Sequence, residues 1–414
     1  MILSIENINK AASNLKGVAT HTPLQYNLWL SDEFECNIYL KREDLQPVRS
    51  YKLRGAYNKI ISLSDAEKQK GVVCASAGNH AQGVAYSCKL LNIKGTIFMP
   101  VTTPSQKVNK VKQFGRSNVE VVLVGDTFDD AYKAAKKYCD AKQLEFIHPF
   151  DDEKVMEGQG TIAKEILDDS PVEIDYVIVP VGGGGLASGL CSYFEKLSPN
   201  TKIIGVEPEG APSMSESIKK GCVVELGEID KFIDGAAVQR VGDKTFEICK
   251  DKLYKMICVP EGKVCTTILN LYNQQAIVVE PAGALAITAL HELKNELKGK
   301  TVVCMVSGSN NDIMRTEEIR ERSLLHEGLK HFFVIRFPQR AGALKEFVTS
   351  VLGPNDNIVH FEYMKKNNRE NGPALIGIEL QEFDHLPPLK NKLNSLGFQF
   401  EYLNDNKNLM QFLV

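Results

Sequence analysis

The sequence predicts an α/β protein of two open-sheet lobes followed by a small βαββαβ unit. Three observations predict it. From about residue 70, short apolar runs alternate with amphipathic stretches, the pattern of strands joined by crossover helices into a parallel sheet. The alternation resumes after Phe150 as a second block. After about Leu325 the order becomes strand, helix, strand, strand, helix, strand, the ferredoxin-like order, in about eighty residues. A chain of 414 residues is also too long for one core, so two or three domains are expected.

In order, 71–75 reads as a strand that leads into Ser76-Ala77-Gly78-Asn79-His80, and 81–91 as a helix. A strand at 96–100, a helix at 105–114, a strand at 119–124 and a helix at 128–142 complete the first block. The second block has a helix at about 158–167 and strands at 176–181, 202–207 and 301–306. The stretch 317–330, charged and periodic, reads as a connecting helix. The tail has strands at 331–337, 357–365, 374–380 and 398–403, with helices at 341–351 and 386–396. Open α/β sheets place ligands at the carboxyl ends of their strands. Three candidate loops, 76–80, 182–185 and 307–310, each follow a strand.

Composition narrows the function. Hydrophobic residues are 43% and charged residues 24%, ordinary for a globular protein, and the net charge is -3. Without a basic excess, nucleic acid is not an expected partner. The opening Met1 to Glu6 does not read as a signal peptide, and no apolar run is long enough to span a bilayer. Ten cysteines are scattered, the closest pair being Cys258 and Cys265, and none pairs with histidine at zinc spacing. Reduced, structural thiols, no metal and a cytoplasmic location are expected.

The chemistry starts from Lys52, in Arg49-Ser50-Tyr51-Lys52-Leu53-Arg54-Gly55-Ala56, just after Lys41-Arg42-Glu43-Asp44-Leu45-Gln46-Pro47. A lysine that loses solvent and gains cationic neighbours has its pKa lowered, and its free amine attacks carbonyls. The plain alternative is a surface lysine at a strand-to-helix junction. Gly182-Gly183-Gly184-Gly185-Leu186 follows a strand and opens a helix, so its N–H groups can converge on one anion. It lacks the Gly-Lys-Ser/Thr of a P-loop. A dinucleotide site remains open, because Glu207 stands about 20 positions on, where that site places its ribose acid. A tight turn without ligand is the third reading. Ser76, Ala77, Gly78, Asn79 and His80 offer a hydroxyl, an amide and free N–H groups to a carboxylate; helix capping is the alternative use of Ser76 and Asn79. Ser307, in Ser307-Gly308-Ser309-Asn310, can hydrogen-bond a ring nitrogen without carrying charge, or serve an ordinary turn.

Together these segments resemble the fold-type II pyridoxal 5′-phosphate (PLP) enzymes, the tryptophan synthase β-like fold, and among them the biosynthetic threonine dehydratases (threonine deaminases). The likeness runs from about Thr20 to Asn310, and the tail resembles a single ACT-like regulatory domain. It implies a catalytic domain at 1–322 with a small lobe at about 53–148, a connecting helix at 323–330 and a regulatory domain at 331–414. It implies that Lys52 anchors PLP as a Schiff base and acts as base. Asn79 would contact the ring's phenolic oxygen, Gly182, Gly183, Gly184, Gly185 and Leu186 would hold the phosphate, and Ser307 would face the ring nitrogen. Ser76, Ala77, Gly78, Asn79 and His80 would take the substrate carboxylate. Tyr51 departs from the usual phenylalanine and adds a hydroxyl beside the cofactor. The implied reaction is β-elimination from L-threonine, giving 2-oxobutanoate and ammonia, with L-serine as a second substrate. Isoleucine would inhibit at the turn Arg340-Ala341-Gly342-Ala343-Leu344, and the chain would form a homo-oligomer, tetramer or dimer. Within the fold, serine dehydration, racemisation and β-replacement stay open. A non-enzymatic amino-acid sensor and a nucleotide-dependent oxidoreductase are the readings from other classes.

Overall fold

A computed structural model describes residues 2–363, 370–410 and 412–413. The chain divides into two compact units, one of 1–261 with 271–311, the other of 262–270 with 312–414.

The first unit holds two sheets. β1 (Leu24–Tyr26) and β2 (Asn37–Arg42) come first, then β3 (Val72–Ala75), β4 (Gly95–Met99), β5 (Val119–Leu123) and β6 (Glu145–Phe146). These last four form a small parallel sheet in the order β5-β4-β3-β6. β7 (Tyr176–Pro180), β8 (Lys202–Pro208), β9 (Lys255–Val259) and β10 (Thr301–Val306) join the first two in a six-stranded sheet ordered β1-β2-β10-β7-β8-β9. Only β1 runs antiparallel there, against β2. Every residue of β7 and of β10 is buried, which is why both read as unbroken apolar runs: helices cover both faces of the sheet.

Helix boundaries differ from expectation for identifiable reasons. The helix expected from about 158 starts at Glu153 and runs to Asp169, because Asp152 caps it by accepting the N–H groups of Lys154 and Val155. Gly158 is therefore a packing residue: a Cβ there would lie 2.5 Å from the carbonyl oxygen of Arg54. The helix after β3 begins at Asn79 rather than Ala81, which puts Asn79 and His80 in its first turn.

In the second unit, β11 (Lys330–Pro338), β12 (Asn357–Tyr363), β13 (Asn371–Glu379) and β14 (Gln399–Tyr402) form an antiparallel sheet ordered β12-β13-β11-β14. Helices Ala343–Ser350 and Leu386–Ser395 complete the βαββαβ order. Phe333, Ile335, Phe337, Phe347, Ile376, Ile378, Leu389 and Leu393 are its core. The expected end of the second strand, 364–365, lies outside the described residues. The connecting helix is corrected: it spans Thr316–His326 and stops before Gly328, whose φ of 64° leaves the helical region, so Lys330 already belongs to β11. Among the described residues no helix is long and apolar enough to cross a membrane.

Candidate active site

Lys52 is the first residue of the helix Lys52–Ile61. The chain reaches it through a short antiparallel clasp with the loop after β10. Tyr51 N–H donates to Ser307 O at 3.2 Å, Ser309 N–H donates to Arg49 O at 2.9 Å, and Ser50 bridges Gly308. The lysine and the serine loop are thereby tied as one body.

Two residues on, Arg54 anchors the same helix in the interior. It is 1% exposed and forks onto two carboxylates. Its Nε and Nη2 donate to Glu43, each at 2.8 Å, and Nη1 and Nη2 donate to Glu165 at 2.6 and 2.8 Å. Buried Lys41 donates to Glu165 at 2.6 Å. The segment Lys41 to Gln46 thus holds the Lys52 helix in place rather than lining the site.

Lys52 Nζ donates to Pro149 O at 2.9 Å. Burial lowers its pKa to about 8, against the opposing pull of the Glu280 carboxylate. The expected cationic neighbours are not what shifts it; loss of solvent is. His80 and His148 feel the charge of Lys52 too, but burial chiefly lowers them, to about 3 and about 4.

The amine opens onto a pocket lined by Tyr51, Lys52, Phe150, Pro180, Gly235 and the loop Gly182 to Leu186. Packing and backbone both require the glycines. A Cβ on Gly183 would sit 2.2 Å from the Phe150 ring, and Gly184 has φ 91° with Thr245 closing over it. Thr245 Oγ1 fixes the loop by donating to Gly183 O at 2.6 Å. The helix Gly185–Leu197 starts here. The N–H groups of Gly183, Gly184, Gly185, Leu186 and Ala187 have no protein acceptor among the described residues. A row of free donors at a helix start is an anion site. Glu207, the acid a dinucleotide would require, is buried and spent: its oxygens accept the N–H groups of Met214 and Ser215 at 2.6 and 2.9 Å and the Ser215 hydroxyl at 2.7 Å.

The 76–80 loop places its candidates unequally. Ser76 Oγ accepts Gly78 N–H at 3.2 Å. Asn79, His80 and Ala81 keep N–H groups without protein acceptors among the described residues. The His80 ring turns away from the loop into the interior, with Nε2 on Ile147 O at 2.8 Å. Asn79 Nδ2 donates to Glu280 at 2.6 Å. Ser307 is buried, and its hydroxyl donates to Ala282 O over a long 3.3 Å. Sequence reasoning missed Phe150, Thr245, Glu280 and Asn310. Glu280 had one usable signal, an acid directly before Pro281 at a helix start, but that pattern reads as a cap.

Comparison with known proteins follows the same division of the chain. Residues 15–308 match the family model described as pyridoxal-phosphate dependent enzyme, and residues 321–413 match that of the C-terminal regulatory domain of threonine dehydratase. A biosynthetic L-threonine dehydratase of Halalkalibacterium halodurans is 58% identical over 100% of this chain and 99% of its own. Its counterpart in Bacillus subtilis is 56% identical over 100% and 98%. The solved structure of the processed form of threonine deaminase isoform 2 from Solanum lycopersicum superposes with a TM-score of 0.72 at 39% identity, over 78% of this chain and 96% of that one.

Proposed function

This chain belongs to the pyridoxal-phosphate dependent enzymes and, among them, to the biosynthetic L-threonine dehydratases, and from that membership we infer that Lys52 is the residue on which its chemistry turns. The chain deaminates L-threonine to 2-oxobutanoate and ammonia, the first step of isoleucine biosynthesis, with PLP as cofactor and a regulatory C-terminal domain. One observation carries the assignment of residues: the Lys52 amine and the free N–H groups of the glycine loop line the same pocket.

The residues present suit the cofactor. Lys52 would hold it covalently, and the N–H groups from Gly183 to Ala187 would take its phosphate. When bound, PLP supplies an electron sink for the negative charge left at the substrate's α-carbon. The rest falls to the chain. Lys52 Nζ, with a pKa of about 8, can take the α-proton near neutral pH and hand a proton on as the hydroxyl leaves. Ser307 Oγ, turned from its long bond to Ala282 O, would give the ring nitrogen an uncharged partner, which would favour elimination over transamination. The N–H groups at Asn79 to Ala81 receive the substrate carboxylate, with Ser76 beside them; His80 contributes its backbone, since its ring is committed elsewhere. Phe150 and Tyr51 close the pocket walls against water.

Finer points belong to the same proposal. L-serine is a second substrate, isoleucine binds at 340–344 in the tail, the catalytic part ends near residue 322, and the chain works in the cytoplasm as a homo-oligomer, tetramer or dimer. Gly342, with φ 84° at the start of the helix Ala343–Ser350, supports the effector site because its missing side chain leaves the backbone approachable. The test of the central claim is Lys52→Ala. Turnover is expected to vanish while the urea midpoint stays near that of the wild type. Turnover within about tenfold of wild type, a barrier change of only about 1.4 kcal/mol, contradicts the assignment.

A further inference from the structure

Glu280 stands before the helix Pro281–Thr288, where an acidic side chain usually accepts N–H groups of its own first turn. It makes no such bond. Its two oxygens reach across to other segments. Oε1 accepts Asn79 Nδ2 at 2.6 Å, and Oε2 accepts the backbone N–H of Asn310 at 3.0 Å. The loops following β3 and β10 are thus gathered on one carboxyl.

Asn310 closes the ring. Its Nδ2 donates to Asn79 Oδ1 at 2.7 Å and to Val48 O at 2.8 Å. A backbone carbonyl only accepts, so the Val48 contact fixes which end of the Asn310 amide is nitrogen. That in turn fixes Asn79: its oxygen faces Asn310 and its nitrogen faces Glu280. An amide nitrogen has two hydrogens, and Glu280 uses one.

We propose that Glu280, with Asn310, is a positioning residue that locks the Asn79 amide so that one Nδ2 hydrogen remains to be donated to an acceptor oxygen of the bound cofactor. This rests on the reading that Asn79 faces the cofactor ring. It explains why a carboxyl that is only 7% exposed is kept at the site. The charged and titratable groups around it are Lys52, Tyr51, Asp234 and Lys107, the last two paired at 2.7 Å. Burial, reinforced by Asp234, raises Glu280 to about 7, while the bonds from Asn79 and Asn310 hold it down. An ionised carboxyl accepts both bonds; a protonated one can lose the acceptor that Asn79 needs. The clasp is therefore tightest above neutrality.

The test uses the holoenzyme and reads the absorbance of bound PLP against pH, together with the rate at which PLP is released. Asn79→Ala is expected to move the titration midpoint by about one pH unit. Glu280→Gln keeps the volume but removes the charge that also acts on Lys52, so its shift alone is ambiguous. The decisive quantity is how far that shift changes when Asn79 is already alanine. Action through Asn79 predicts a difference of about half a pH unit between the two backgrounds, and a PLP release rate in Asn79→Ala that Glu280→Gln raises little further. Equal shifts in both backgrounds overturn the proposal. Asn310→Ala, which removes no charge, runs the same cycle should Glu280→Gln fail to fold. If Asn79→Ala leaves the midpoint unmoved, the ring assignment fails and the positioning role falls with it, an outcome distinct from equal shifts.

Discussion

Replacing Arg54 by methionine keeps most of the side-chain volume and removes the fork that neutralises two acids. Glu43, which has no exposure, would keep only the Thr22 hydroxyl at 2.5 Å and the Gln46 amide at 3.2 Å. Glu165 would still have Lys41 in contact at 2.6 Å, whereas Glu43 would feel Lys41 only at longer range, so the charge left without an ion-pair contact is that of Glu43. Breaking a buried pair from one side costs about 3–5 kcal/mol, a large part of the roughly 5–15 kcal/mol that holds a folded protein. The cost also carries a sign in pH. Burial alone would raise the Glu43 carboxyl, but Arg54, together with Lys41 and the Thr22 hydroxyl, holds the group below its ordinary value. In the wild type this stabilisation is present above the unfolded carboxyl pKa of about 4.3 and is lost as pH falls. In Arg54→Met the buried carboxyl has its pKa raised, so the native state takes up a proton first and gains stability as pH falls. Urea unfolding of both proteins between about pH 5 and 8 should show a gap that is widest at the alkaline end and narrows toward acid. Glu43→Gln in the Arg54→Met background should recover part of it. A gap below about 1 kcal/mol, or one independent of pH, would refute the idea that this arginine is retained to neutralise Glu43.

Two further outcomes are expected. Gly183→Ala drives a methyl group to within 2.2 Å of the Phe150 ring, which His148 backs edge-on at 4.7 Å, so the ring must tip into the pocket. Overpacking of about 1–3 kcal/mol should appear as PLP loss on dialysis, eased by Phe150→Leu; full retention of PLP would show the ring has room to yield. Truncation after Leu325 should leave threonine turnover and abolish isoleucine inhibition, with a lost coupling of about 1–3 kcal/mol. Inhibition that persists in the truncated enzyme places the effector elsewhere.

The strands of both sheets' interiors were legible because burial on two faces forces unbroken apolar runs, as in β7 and β10. The glycine loop was legible because four consecutive glycines have few other uses. Gly328 marks the helix end at His326, but the charged stretch continues to Lys330 and masks it. Other features leave no local trace. β1 and β2 lie among polar residues and belong to the large sheet only through pairing with β10. Pro281–Thr288 is buried all round and so shows no amphipathic period. Glu207 and Glu280 look alike in sequence, each an acid before a proline. Where each side chain goes is decided by segments remote in the chain: Glu207 turns to Met214 and Ser215, Glu280 to Asn79 and Asn310.

The pairing of β2 with β10 also has a consequence for biosynthesis. Thr301 to Val306 run alongside Asn37 to Arg42, so the nascent large sheet cannot close until almost the whole first unit has left the ribosome. At about 5–20 residues per second, β2 waits tens of seconds for its partner. During that delay Ile38 and Leu40, fully buried in the finished protein, lie on an unpaired strand edge. The β3–β6 sheet draws all its strands from a continuous stretch of chain and suffers no such wait. Newly made chains should therefore pass through a stage in which the β3–β6 sheet is folded and the six-stranded sheet is still open, the stage at which chaperones would be needed most.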